Sequence, residues 1–176
     1  MATTTSEKTL TGERADLLES LGKARFFLRF TARGLSDEQA ATRSTVSALC
    51  VGGLIKHVTA TERQWTRFIV EGGSAMAAGD DPAAYEAYAA GFRMEAGETL
   101  AGLLEEYEEV ARRTDELVRT LPDLDADHEL PPAPWFEPGA RWSARRVLQH
   151  VIAETAQHAG HADIVREAID GAKSMG

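Results

Sequence analysis

Three of the five histidines of this chain, His150, His158 and His161, fall in one segment together with Glu154. At about 100° and 1.5 Å per residue, Glu154 and His158 differ by about 40° around a helix axis and about 6 Å along it. A carboxylate and an imidazole so placed converge on one point, which is how a divalent metal ion is clamped. His158 and His161 are less well aligned, about 60° apart. Glu154 and His161 are separated by about 10 Å along the axis, and His150 and His158 by about 12 Å, so neither pair reaches one small ion. The local pair is therefore Glu154 with His158. His161 is left as an outer partner of the ligands or an alternative ligand, and His150 as a structural or partly exposed residue near the helix start.

Two ligands do not hold a catalytic metal, and His57, on the apolar side of another predicted helix, is the leading candidate for the third. Two histidines and one glutamate leave coordination positions open for water and substrate, as catalytic zinc or nickel sites require. The H-E-x-x-H motif of zincin proteases does not occur in the chain. Spacing alone leaves a second reading open, in which His57 and His158 are hydrogen-bonded core residues and Glu154 is a solvated carboxylate. His128, in a polar stretch, is expected to be exposed and silent. Asp163, Arg166 and Asp170 have the spacing of a surface ion-pair ladder of small energetic worth.

Helices must position these groups, because helical periodicity dominates the sequence and strand alternation is nearly absent. The first segment, 11–33, carries a stripe of Leu17, Leu18, Leu21, Ala24, Phe27 and Leu28, with Thr11 as a candidate cap and Gly34 as its stop. Ser36-Asp37-Glu38-Gln39 is a capping-box pattern for a short helical turn. The second segment, 47–71, presents Leu54, Val58, Thr61, Trp65, Phe68 and Ile69, and Gly72-Gly73 ends it. Residues 72–97 are read as a surface excursion with helical turns at 82–90. The third segment, 98–121, has the stripe Leu100, Leu103, Leu104, Tyr107, Val110, Ala111, Thr114, Leu117 and Val118, and stops at Pro122. The fourth, 143–169, opens on Ser143 and ends at Gly171. Four amphipathic helices with facing stripes predict an all-α, four-helix-bundle domain over 11–171. A flexible segment at 1–10 and a tail at 172–176 flank it. Long connections after the second and third helices permit a topology other than up-down-up-down. The last connection holds Pro131, Pro132, Pro134 and Pro138, which forbid a helix and favour a stiff extended loop. Its Trp135 and Phe136 either wall a pocket or plug the end of the bundle.

With 176 residues, 43% of them hydrophobic, the chain can bury one substantial core. A formal charge of -9 argues against nucleic acid, which needs clustered Lys and Arg, and no Gly-rich phosphate loop is present. No window approaches a membrane span and the N-terminus lacks a secretory signal pattern, so a cytoplasmic location is expected. Cys50 is the only cysteine; its apolar neighbours Leu49 and Val51 predict a buried, inert thiol.

The residues Ile55-Lys56-His57-Val58 and Glu62-Arg63-Gln64-Trp65, the downstream Arg141-Trp142-Ser143, and the run from His150 through Glu154, His158, His161 and Asp163 to Gly171 together resemble the DinB-like superfamily. More narrowly, they resemble its actinobacterial branch related to mycothiol-dependent transferases. The opening Leu10-Thr11-Gly12-Glu13-Arg14 fits as well, so the resemblance spans nearly the whole chain. It implies a four-helix bundle, often a homodimer, with a divalent metal held by three residues: one histidine of the second helix, at His57, and a pair four apart on the last helix. Many members have two histidines in that pair. Here Glu154 takes the first position, as in mycothiol-dependent maleylpyruvate isomerase, and His158 the second. The implied chemistry is activation of a low-molecular-weight thiol of the mycothiol type by zinc or nickel, for attack on an electrophilic small molecule. Trp65, Trp135, Phe136 and Arg141 are then candidates to line the thiol and electrophile pocket. A metal-dependent hydrolase and a non-catalytic metal-binding bundle remain the competing readings.

Overall fold

Capping chemistry sets the helix ends in this computed structural model, which describes residues 10–76, 86 and 88–175. Helix α1 (Glu13–Thr31) starts at Gly12, whose φ of 68° takes the place expected of a Thr11 cap, and no side chain caps it. Helix α2 (Asp37–Ala41) has the anticipated capping box, formed by Ser36 and Gln39 in both directions. Helix α3 (Val51–Glu71) begins four residues later than periodicity suggested, because the Cys50 sulfur accepts the Gly53 N–H and serves as its cap. Helix α4 (Leu100–Thr120) is capped by Thr99 and helix α5 (Ala144–Asp170) by Ser143, and Gly171 ends α5 with a left-handed φ of 78°.

The loop expected at 123–141 contains a two-stranded ribbon. Strand β1 (Asp127–Glu129) pairs antiparallel with β2 (Arg141–Ser143), His128 opposite Trp142. Three-residue strands offer no alternation to count, which is why periodicity missed them. All four loop prolines fall between the strands, where no ladder hydrogen bond is lost. His128 is half-buried rather than exposed: its Nε2 lies 3.2 Å from the Ile69 carbonyl oxygen, and its ring packs edge-on against Phe68. The segment 1–10 lies, apart from Leu10, outside the described residues. At the other end the Ser174 backbone N–H donates to Asp163 at 2.6 Å.

Interhelical ion pairs and arginine–carbonyl hydrogen bonds mark the directions of the four long helices. Arg145 of α5 meets Glu13 at the start of α1, and Arg166 of α5 donates to the Thr31 and Arg33 carbonyls at its end, so α1 and α5 run parallel. Lys56 with Glu98 and Arg63 with Glu106 make α3 and α4 parallel too. Arg14 with the carbonyls of Val118 and Leu121, and Arg29 with Glu108, make α1 and α4 antiparallel. The topology is therefore up-down-down-up, with α1 and α3 on one diagonal. Of the expected surface ladder only the Arg166–Asp170 rung forms, and Arg166 mainly closes the open carbonyls of α1.

Two apolar clusters divide the core. One gathers Leu17, Leu21, Trp65, Phe68, Val118, Val147, Leu148 and Val151 at the ribbon end. The other gathers Leu28, Val51, Leu54, Ile55, Val58, Leu103, Tyr107, Ala159, Ala162 and Val165. A polar layer lies between them. Buried Arg25 of α1 donates through Nε and a terminal nitrogen to buried Glu62 of α3, and at 2.7 Å to Asp115 of α4. Thr155 of α5 and Tyr107 of α4 are buried in the same middle third.

Candidate metal centre

The antiparallel contact of α3 with α5 sets the register of the chemical groups. The His57 and His158 rings are 4.8 Å apart, and eight residues along each helix the Trp65 and His150 rings are again 4.8 Å apart. Thr61 and Glu154 fall midway between these pairs. Glu154 and His158 share one face of α5, as their spacing requires, with Glu154 Oε2 3.5 Å from His158 Nε2. One donor atom each from His57, Glu154 and His158 lies within 4.8 Å of the other two.

That donor set fits a divalent ion. Ligands at zinc distances in a tetrahedral site stand roughly 3.4 Å apart, close to the Glu154–His158 separation already present. Metal ligation needs neutral imidazoles and an ionised carboxylate. Burial, reinforced by the neighbouring His158, pushes the His57 pKa down to about 4, so its ring is neutral at physiological pH. Burial also lowers His158, against the opposing pull of the Glu154 carboxylate.

A wall that the sequence reading did not assign covers the site. Phe92 stacks on His57 with ring centres 3.9 Å apart, and exposed Tyr88 meets the same ring edge-on at 5.6 Å. Both come from the connection between α3 and α4, where Glu86 and Tyr88–Ala90 are helical and the rest of the turn expected at 82–90 lies outside the described residues. The segment docks because α3 opens on glycines. A Cβ on Gly53 would stand 1.9 Å from the Phe92 carbonyl oxygen, and one on Gly52 2.2 Å from the Met94 sulfur. Cys50 is buried, and its Sγ–H points to the Phe92 carbonyl at 3.8 Å. The signal was legible in principle: Gly52-Gly53 inside a strong helical pattern marks close backbone approach.

The proposed pocket residues lie towards the ribbon end. Trp65 is buried and stacks on Trp142 at 4.9 Å, with His150 edge-on to both rings. Phe136 packs on Trp142 and on the adjoining apolar cluster, whereas Trp135 is 72% exposed. Arg141 is exposed and paired with Asp127. Among the described residues the aromatic rings seated on His57 are those of Tyr88 and Phe92, together with His158 itself. His161 approaches His158 with the two Nδ1 atoms 3.4 Å apart.

Residues 16–171 match the family described as mycothiol S-transferase. The chain belongs to that family. Comparison with curated proteins finds no match. Two solved structures share the fold of this mycothiol S-transferase family member. A conserved protein from Enterococcus faecalis is 12% identical, with a TM-score of 0.64 over 93% of this chain and all of its own. YfiT from Bacillus subtilis is 13% identical, with a TM-score of 0.64 over 90% of this chain and 89% of its own. YfiT is described as a probable metal-dependent hydrolase with an unusual four-helix bundle topology. At such identities the likeness establishes the four-helix-bundle fold alone. No described helix is long and apolar enough to cross a membrane.

Proposed function

We propose that His57, Glu154 and His158 hold a divalent metal ion, zinc or nickel, and that the protein activates a low-molecular-weight thiol of the mycothiol type for attack on an electrophilic small molecule. The observation that carries this reading is the convergence of those three donors from two distant parts of the chain, in a mycothiol S-transferase family member. When bound, such an ion lowers the pKa of a coordinated thiol and supplies thiolate at neutral pH. The chain's own residues do the rest. Glu154 contributes one negative charge against the ion's two, leaving the centre attractive to an anionic sulfur. Phe92 and Tyr88 shield His57 from water, which strengthens electrostatic interactions at the site. The buried Cys50 takes no part, because the cosubstrate brings the nucleophile.

The thiol and the electrophile enter from the ribbon end, where exposed Trp135 and half-buried Phe136 offer apolar contact, buried Trp65 backs that wall, and Arg141, paired with Asp127, offers a cation. A reduced thiol pool places this chemistry in the cytoplasm. We also assign a homodimer, formed through apolar residues outside the core, of which Phe26 of α1 and Ile164 of α5 are exposed on adjacent helices; a monomeric mass in solution refutes that assignment.

The test combines metal content with cosubstrate dependence. Protein purified without added metal is expected to carry stoichiometric zinc or nickel, and His158→Ala to lose it while keeping the helical circular dichroism of the wild type. Consumption of a chromogenic electrophile is expected only with both metal and thiol. Undiminished metal in the variant removes the ligand assignment. Turnover of an activated ester without thiol transfers the reading to hydrolysis.

A further inference from the structure

The two nitrogens of His158 face different partners. Its Nε2 lies 3.5 Å from Glu154 Oε2, on the side where the three donors converge, and its Nδ1 lies 3.4 Å from His161 Nδ1. A neutral imidazole that offers one nitrogen as a ligand carries its proton on the other. For His158 that second nitrogen points at His161, whose own Nδ1 accepts only if the His161 proton sits on Nε2. The two Nδ1 atoms cannot both be protonated at this separation without repelling, so one ring donates and the other accepts, and offering Nε2 of His158 to an ion makes His158 the donor. His161 is three residues beyond His158 on the same half-buried stretch of helix, a spacing that makes the two side chains neighbours.

We propose that His161 is a positioning residue for the metal centre. It accepts the Nδ1–H of His158, fixes the tautomer that leaves Nε2 free for the ion, and holds the ring plane against rotation. This inference rests on the metal-binding reading above and deepens it, since it assigns the work of selecting one ligand nitrogen to a residue outside the triad. It also resolves the two roles open to His161 in favour of an outer partner. Outer partners of this kind characteristically raise metal affinity by about 10–100-fold.

The test is zinc affinity, measured by competition with a chromophoric chelator, for wild type, His161→Ala and His161→Asn. Asparagine places its Oδ1 where histidine places Nδ1, so it restores an acceptor without restoring an imidazole. Expected are wild-type zinc binding, a loss of about 10–100-fold in His161→Ala, and recovery of most of that loss in His161→Asn, with thermal melting of the zinc-free proteins alike. At saturating cobalt(II) the visible spectrum of His161→Ala is expected to keep the wild-type shape. Equal affinity in His161→Ala, no recovery in His161→Asn, or a cobalt spectrum that reports a changed ligand set each overturns the positioning role. Absence of zinc binding in the wild type overturns the metal-binding reading instead, so the two failures are distinguishable.

Discussion

Replacing Gly53 by alanine tests how the cover over the candidate metal centre is held. The added Cβ would lie 1.9 Å from the Phe92 carbonyl oxygen, 2.2 Å from its carbon and 2.7 Å from the Arg93 nitrogen. Ordinary contact begins at 3.4 Å, so the two backbones must part by about 1.5 Å. Every one of those atoms is backbone, so no side-chain rotation relieves the overlap. Helix propensity favours alanine by about 1 kcal/mol, while overpacking of this kind costs about 1–3 kcal/mol. The net expectation is a loss of up to about 2 kcal/mol in urea denaturation. Withdrawal of Phe92 also ends its 3.9 Å stack on His57, and zinc affinity is expected to change with it. Gly22→Ala in α1 is the control: nothing stands within 4 Å of its Cβ, and it is expected to stabilise by about 0.5–1 kcal/mol. If Gly53→Ala is as stable as Gly22→Ala, with unaltered zinc affinity, the segment carrying Phe92 does not dock on α3 and the argument for a built cover fails.

Other expectations follow from the polar layer and from the histidines. Arg25→Met leaves buried Glu62 without its partner and is expected to cost about 3–5 kcal/mol in urea denaturation. Arg25→Met combined with Glu62→Leu is expected to recover most of that loss, and a double variant as unstable as the single one would contradict the buried pair. In the metal-free protein, kept so by chelator, stability is expected to be full above pH 6.5 and to fall towards pH 5. The unfolded chain takes up histidine protons near 6.5, whereas burial holds His57 down at about 4 and also lowers His150 and His158. The unfolded state therefore binds more protons between those values, and the slope approaches at most about 1.4 kcal/mol per pH unit per histidine. Constant stability between pH 6.5 and 5 would mean that these rings are not buried neutral.

The four long helices were legible because each carries an apolar stripe of several turns bounded by caps and glycines, and the structure moves their ends by only a few residues. The juxtaposition of His57 with Glu154 and His158 was legible for a related reason. An i, i+4 pair fixes its own geometry on one helix, and His57 stands on the buried stripe of another. Legibility ended where a group depends on partners distant in sequence. Arg25 and Glu62 look like ordinary surface charges until α1 and α3 face each other across the bundle. His128 reads as a polar loop residue until the ribbon sets it against Ile69 and Phe68. Tyr88 and Phe92 sit in an Ala- and Gly-rich stretch whose composition says surface, and only the contact of Gly52 and Gly53 with residues 92–94 reveals that it covers the centre.

The topology explains why that cover comes from the second connection. Because α3 and α4 are parallel neighbours, the chain that leaves the C-terminal end of α3 must return to its N-terminal end before α4 begins. Twenty-one residues of helix span about 30 Å, too far for a tight turn. The return ends beside Cys50 and the two glycines, one to two turns from His57, so the connection that the parallel pair requires is also delivered to the candidate ligand. Antiparallel packing of α3 on α5 meanwhile leaves the other end of the row, from Thr61 to Trp65 and His150, beyond that contact and directed at the ribbon. In the proposed reading, a centre set in this way is covered by one connection and approached past the other. Substitutions at Phe92 should therefore act first on the environment of the candidate ligand His57, and substitutions at Trp135 on the binding of the proposed thiol and electrophile.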